Sequence, residues 1–171
     1  MTTLPIRPIF LVIALAVATG LPAAAQQTRV AFGSDTHDAS LPVEIESDSF
    51  TLRQSEGTAE FLGNVVVGQG GLRLAAGKIV VRYSGAGDAS AGEIESLTAS
   101  DGVTLVSGTE TAEADKAEFV LASNTIEMTG DVLLTQGNNA LSGQIIVISL
   151  ADGSAVISGR VKTIFTPDSS N

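Results

Sequence analysis

Ile126-Glu127-Met128-Thr129-Gly130-Asp131-Val132-Leu133-Leu134-Thr135 decides the fold class of this 171-residue chain. Ile126, Met128, Gly130, Val132 and Leu134 fall on one side of an extended backbone, and Glu127, Thr129, Asp131 and Thr135 on the other. That is a period of two, the mark of a strand with one apolar face, whereas a helix repeats every 3.6 residues. Working outward, Ile79, Val81 and Tyr83 oppose Lys78 and Arg82 in the same way, and Ala117, Phe119 and Leu121 oppose Lys116 and Glu118. No amphipathic helix follows the first 25 residues.

Proline distribution extends this reading along the chain. The five prolines are Pro5, Pro8, Pro22, Pro42 and Pro167, so Val43 to Thr166 contains none. Regular sheet excludes proline from its ladders, while turns and bulges favour glycine, which is plentiful here. Gly63-Asn64-Val65, Gly102-Val103, Gly130-Asp131-Val132 and Gly159-Arg160-Val161 recur as similar units, read as tight turns leading into strands. Small polar residues from Ser84 to Gly92 form an inserted loop that lengthens the first interval. A second marker trails each of the first three units: Gly77-Lys78-Ile79, Asp115-Lys116-Ala117 and Gly143-Gln144-Ile145. The expectation is an all-β array of roughly 16 short strands, at about 7 residues per strand and turn, stacked neighbour on neighbour with open ends.

The amino terminus reads as an export signal over residues 1–25. Arg7 supplies the positive charge, Ile9 to Ala18 the apolar run, and Ala23-Ala24-Ala25 the small-residue cleavage site before Gln26. Residues 26–40 lack periodicity and read as a flexible lead-in, residues 41–167 as one domain, and residues 168–171 as a short tail. Loss of Arg7 takes the formal charge from -10 to -11, which repels nucleic acid and anionic membrane. With no cysteine, stability rests on backbone hydrogen bonds and apolar burial.

Catalytic signals are poor. The single histidine, His37, lies in the lead-in, and without cysteine the familiar zinc sites and Cys/His or Ser/His pairs lose their ligands. Neither a G-x-S-x-G elbow nor a phosphate-binding P-loop occurs. Glu44, Glu46 and Asp48 alternate as a solvated strand face does, and Arg73, Lys78 and Arg82 read as scattered surface charge. No enzyme activity, metal or cofactor is expected. The apolar face, built from valine, isoleucine, leucine and alanine, is the informative one. With no helix to cover it, a large twisted sheet must fold over on itself.

Pro42-Val43-Glu44-Ile45-Glu46-Ser47-Asp48 and Gly63-Asn64-Val65-Val66-Val67-Gly68-Gln69-Gly70 resemble the opening strand and first turn of the LptA/OstA family. Ala76-Gly77-Lys78-Ile79-Val80-Val81 and the run from Met128 to Gly137 continue the likeness, which covers about residues 41 to 167 in order. One departure is Gly77, where the family commonly has an acidic residue.

The resemblance implies an open antiparallel β-jellyroll shaped like a V, in a periplasmic protein that shields the acyl chains of lipopolysaccharide. It also implies bridging from an inner-membrane LptC-like subunit to an outer-membrane LptD-like translocon, with copies joined head to tail. Burial is worth about 0.8 kcal/mol per methylene, so one 12-carbon chain gains about 10 kcal/mol from an aliphatic wall. Val43, Ile45, Leu105 and Leu121 match groove-facing family positions. Phe61, Val65, Val67, Phe119, Met128 and Val132 join them by alternation alone. Val161, Thr163 and Phe165 are expected to form an unprotected final edge that adds a strand to the next domain. Rival readings are an LptC-like anchored subunit, a translocon domain, an exported β-solenoid or adhesin, and a carbohydrate enzyme using Glu44 and Glu46.

Overall fold

Gly63-Asn64, Asp101-Gly102, Gly130-Asp131 and Gly159-Arg160 are not hairpin turns between strands. The first three are bends within long continuous strands, and the fourth bends the chain between two short ones. The computed structural model describes residues 28–33, 40–84 and 92–166. The expected signal segment, His37, most of the inserted loop and residues 168–171 lie outside them.

Eleven strands form one antiparallel sheet among the described residues: β1 (Thr28–Ala31), β2 (Glu44–Glu46), β3 (Ser49–Arg53), β4 (Thr58–Gln69), β5 (Leu72–Tyr83), β6 (Ile94–Ser107), β7 (Glu110–Val120), β8 (Thr125–Gln136), β9 (Asn139–Ser149), β10 (Ser154–Ser158) and β11 (Lys162–Ile164). Consecutive strands from β4 to β10 pair as neighbours. Strands β2 and β3 pair with opposite halves of β4, and β10 and β11 with opposite halves of β9. Each of those pairs is therefore one bent strand, making eight with β4 to β9. Every bent strand has two arms, which is the expected sixteen in a different form: β4 to β9 each run through the bend without a break, so continuous strands are fewer and longer than expected.

The bends fall on one line across the sheet. Register shifts lie between Leu62 and Val65, Ala75 and Lys78, Ser100 and Val103, Glu113 and Lys116, and Thr129 and Val132. Gly63 and Gly130 have φ of 80° and 108°, a region nearly closed to residues with a Cβ, so glycine marks the bulge. On the other strands the bend breaks the alternation: Ala76 and Ile79, and Ala114 and Ala117, are three apart yet all lie in the apolar core.

The bend line divides the sheet into a near arm, carrying the turns at residues 70–71, 108–109 and 137–138, and a far arm with the remaining turns. Inner-face residues of both arms join one core that includes Val65, Leu74, Leu105 and Leu134 from the near arm and Ile79, Leu97, Ile126 and Ile148 from the far arm. The folded sheet leaves its two ends unjoined.

The lead-in departs from expectation. Thr28–Ala31 is strand β1, paired with β10, and Phe32 is buried to 1% exposure. Four residues are too few to display a period, and the partner strand lies more than 120 residues away in the chain.

Candidate functional site: the apolar interior

Cross-strand register turns the alternation of each strand into rows that run the length of the molecule. One near-arm row is Ile45, Val67, Leu74, Leu105, Ala112, Leu134, Leu141 and Thr163. The facing far-arm row is Leu52, Ala59, Val81, Leu97, Phe119, Ile126, Ile148, Ala155 and Val30. Between the arms lies a narrow cleft of only about 20 Å³, walled by Val43, Val67, Leu72, Leu74 and Leu105 on one side and Leu97, Phe119 and Ile126 on the other. Gln69 is its single polar lining residue, and its side-chain amide donates to the carbonyl of Leu41 at 2.8 Å. Such a wall offers dispersion contacts without directional bonds.

The structure distributes the ten expected groove residues unevenly. Val43, Val67, Leu105 and Phe119 line the cleft together. Val65, Met128 and Val132 face the same interior but are packed at 0–2% exposure. Ile45 and Phe61 are half-buried against that core near its β2–β3 end. Leu121 differs: it belongs not to a strand but to a 3-10 turn, Leu121–Ser123, from which it packs against the core and lines a separate open depression with Ser84, Ile94 and Glu95. The family likeness, with the alternation of Ala117 and Phe119 behind it, placed Leu121 on the strand face, but β7 ends at Val120 and the chain turns from Leu121 to Asn124, which has φ 49°. Leu72, Leu74, Leu97 and Ile126 were missed. Leu72 and Leu74 do alternate in sequence, but only the register of Leu74 against Leu105 and Val67, and of Leu72 against Ser107 and Gln69, brings them to the cleft.

The two ends of the interior differ. At the β3 end, Phe50 is 57% exposed and Leu52 39%, although both lie on the inner face; Phe50 touches Phe61 with ring centroids 5.0 Å apart. At the other end Ala155 and Ile157 are fully buried. Of the expected assembly edge, Thr163 lies in β11, which pairs only with β9, while Val161 packs against the core just before it. Phe165 follows at 74% exposure. The β10 edge is covered by β1, so among the described residues the final edge is uncovered on the near arm alone.

Except for Glu110 at the tip of the near arm, in register with Ser107 and Leu72 of the inner face, the charges on the paired strands stay on the outer faces. Glu60 is gripped by Lys78 Nζ at 2.7 Å and Arg53 Nη2 at 3.1 Å. Hydrogen bonds from Lys78 and then Arg53 hold its carboxyl below the usual carboxylate range. Glu44 and Glu46 are exposed on β2. Among the described residues, no group of three or more histidine, cysteine, aspartate or glutamate side chains gathers to hold a metal.

Residues 44–154 match the family described as LptA/(LptD N-terminal domain) LPS transport protein. An uncharacterized protein of Rhizobium meliloti (strain 1021) is 33% identical over 135 residues, covering 75% of this chain and 73% of that one. Among solved structures, the fold is similar to LptH, the LptA homologous periplasmic component of the lipopolysaccharide transport device from Pseudomonas aeruginosa. The TM-score is 0.65 at 19% identity, over 77% of this chain and 99% of that one.

Proposed function

The chain belongs to the LptA/LptD amino-terminal-domain family of lipopolysaccharide transport proteins, and from that premise we propose that it carries lipopolysaccharide through the periplasm with the acyl chains held between its two arms. One observation carries this reading: uninterrupted apolar rows, aliphatic but for Phe119, run from Ile45 to Leu141 and from Leu52 to Ala155 inside a sheet whose ends do not join. Acyl chains gain by leaving water and find no directional bond to trap them. The outer faces carry the charged side chains among scattered apolar ones and the net charge is -10, so sugars and phosphates of the lipid remain in solvent rather than on the protein.

In the same reading, copies or similarly folded partners continue the sheet end to end, from an LptC-like inner-membrane subunit to an LptD-like translocon. Exposed Phe50 and Leu52 at one end and β11 at the other supply the unsatisfied surfaces. Residues 1–25 would direct export.

Native mass spectrometry of protein mixed with purified lipopolysaccharide tests the substrate. The expected result is a 1:1 adduct that a deacylated lipopolysaccharide does not form. Absence of any adduct, or equal capture of the deacylated form, overturns the proposal.

A further inference from the structure

β1 stands where the third strand of another copy would stand. It lies on the far arm, antiparallel to β10, as β3 lies antiparallel to β4; β4 and β10 run in the same direction, so β1 and β3 do too. The registers coincide as well. Following the pairs across the sheet, Val30 falls in the row that begins with Leu52, and Thr28 in the row that begins with Phe50. With eight bent strands, an even number, a second copy added after β10–β11 would present its own β2–β3 in the orientation that β1 already has. Half of the joining edge is thus filled by the chain itself.

Two further contacts make this segment a closure as well as an edge strand. Phe32, whose N–H donates to the Gly153 carbonyl at 2.8 Å, buries its ring at 1% exposure in the same core cluster as Ala155 and Ile157. The chain then reaches across to the near arm. The Gln136 amide donates to the Ala31 carbonyl and, at 2.9 Å, to Glu110, while the Gly33 N–H donates to the same Glu110 carboxylate. So Thr28–Gly33 ties both arms together at the β10 end, while the β3 end keeps Phe50 and Leu52 exposed. An interior that continues from copy to copy needs both ends open.

Building on the head-to-tail reading above, we infer that Thr28–Gly33 is a self-capping strap that the β3 strand of a second copy displaces by strand exchange. While closed, it holds the chain as a monomer and seals one end of the interior; when it leaves, Phe32 leaves with it and the two interiors join. Among the described residues the near-arm edge at β11 has no strand beyond it, and it offers the incoming β2 its first purchase. Because only the strap-open fraction is competent, the closed strap weakens the apparent association by that fraction.

The chain has no cysteine of its own, which permits a reversible lock in the full-length protein. Paired residues in an antiparallel ladder alternate between wide and narrow spacing, so two neighbouring pairs are bridged in separate variants: Arg29→Cys with Val156→Cys, and Val30→Cys with Ala155→Cys. Phe32→Ala supplies the opposite perturbation. Association is read by sedimentation velocity over a concentration series, with far-UV circular dichroism to show that each species keeps its β spectrum. The expected result is that the oxidised lock stays monomeric where its reduced form makes rods, and that Phe32→Ala associates at concentrations roughly 10-fold lower than wild type. If oxidised and reduced forms associate alike, the strap is not displaced and the inference fails while the head-to-tail reading stands. If neither wild type, reduced lock nor Phe32→Ala associates at any concentration, the head-to-tail reading fails, and the strap inference with it.

Discussion

Gly77 and Asp101 face each other across the bend of β5 and β6, so closely that a Cβ on Gly77 would lie 2.8 Å from the Asp101 Cβ. Elsewhere on the bend line the same pairing runs the other way, with Asp48 against Gly63 and Asp115 against Gly130. Asp101 occupies the glycine-like position, at φ 67°, and Gly77 supplies the space that the acidic residue would otherwise fill. This accounts for a glycine at 77, where the resemblance to the family leads one to expect an acidic residue: here the acidic residue of the pair stands on the other strand. Gly77→Asp alone should therefore destabilise the fold by about 1–3 kcal/mol through overpacking and like charge. Gly77→Asp with Asp101→Gly should restore at least wild-type stability, since it also relieves a left-handed aspartate. Urea midpoints of the two variants check this.

The Glu60 carboxyl gives a pH signature. Its hydrogen bonds to Lys78 and Arg53 lower its pKa in the folded chain, so its contribution is present above the unfolded value and disappears as pH falls through the folded one. Wild type should exceed Glu60→Gln in urea midpoint near neutral pH. That gap should narrow from about pH 4.5 downward. A gap that widens on acidification would show that the pair does not act this way.

Inward residues at the closed and open parts of the interior should respond differently to truncation. Met128 is fully buried, and Met128→Ala should cost about 2–5 kcal/mol. Phe50, on the same inner face but 57% exposed, should cost about 1 kcal/mol or less as Phe50→Ala. Thermal unfolding of both measures the contrast.

Ile45 sits half-buried at the lip of the interior, where a carboxylate can be introduced without breaking the packed core. Ile45→Asp should keep its β spectrum and lose lipopolysaccharide capture, because a desolvated carboxylate beside acyl chains costs several kcal/mol. Leu105→Asp, at a fully buried site, should unfold instead. Undiminished capture by folded Ile45→Asp would mean that cargo does not use this face.

Glu46 and Lys162 occupy the same outer near-arm row, at opposite ends of the sheet. A second copy continuing that row brings its Glu46 beside Lys162. Lys162→Glu should weaken association by about 1 kcal/mol or less, and adding Glu46→Lys should return it. Sedimentation of the single and double variants reads the coupling.

Sequence alone determined the strand character, the inward face of most strands and the order of the repeat. These depend on period two and on proline exclusion, both local properties of an extended chain, and Ile126, Met128, Val132 and Leu134 obey them across a bulge. Tertiary structure alone decided whether Gly63-Asn64 and its counterparts were turns or bends, since both want the same positive φ and differ only in what the flanking residues pair with. It also decided that Thr28–Ala31 is a strand, that Leu72 and Leu97 join the cleft, and that Gly77 exists to make room for Asp101. Each is a relation between residues distant in the chain. A strand's side chains alternate by its own geometry, but its neighbours are chosen by hydrogen-bond register and by what the fold leaves uncovered.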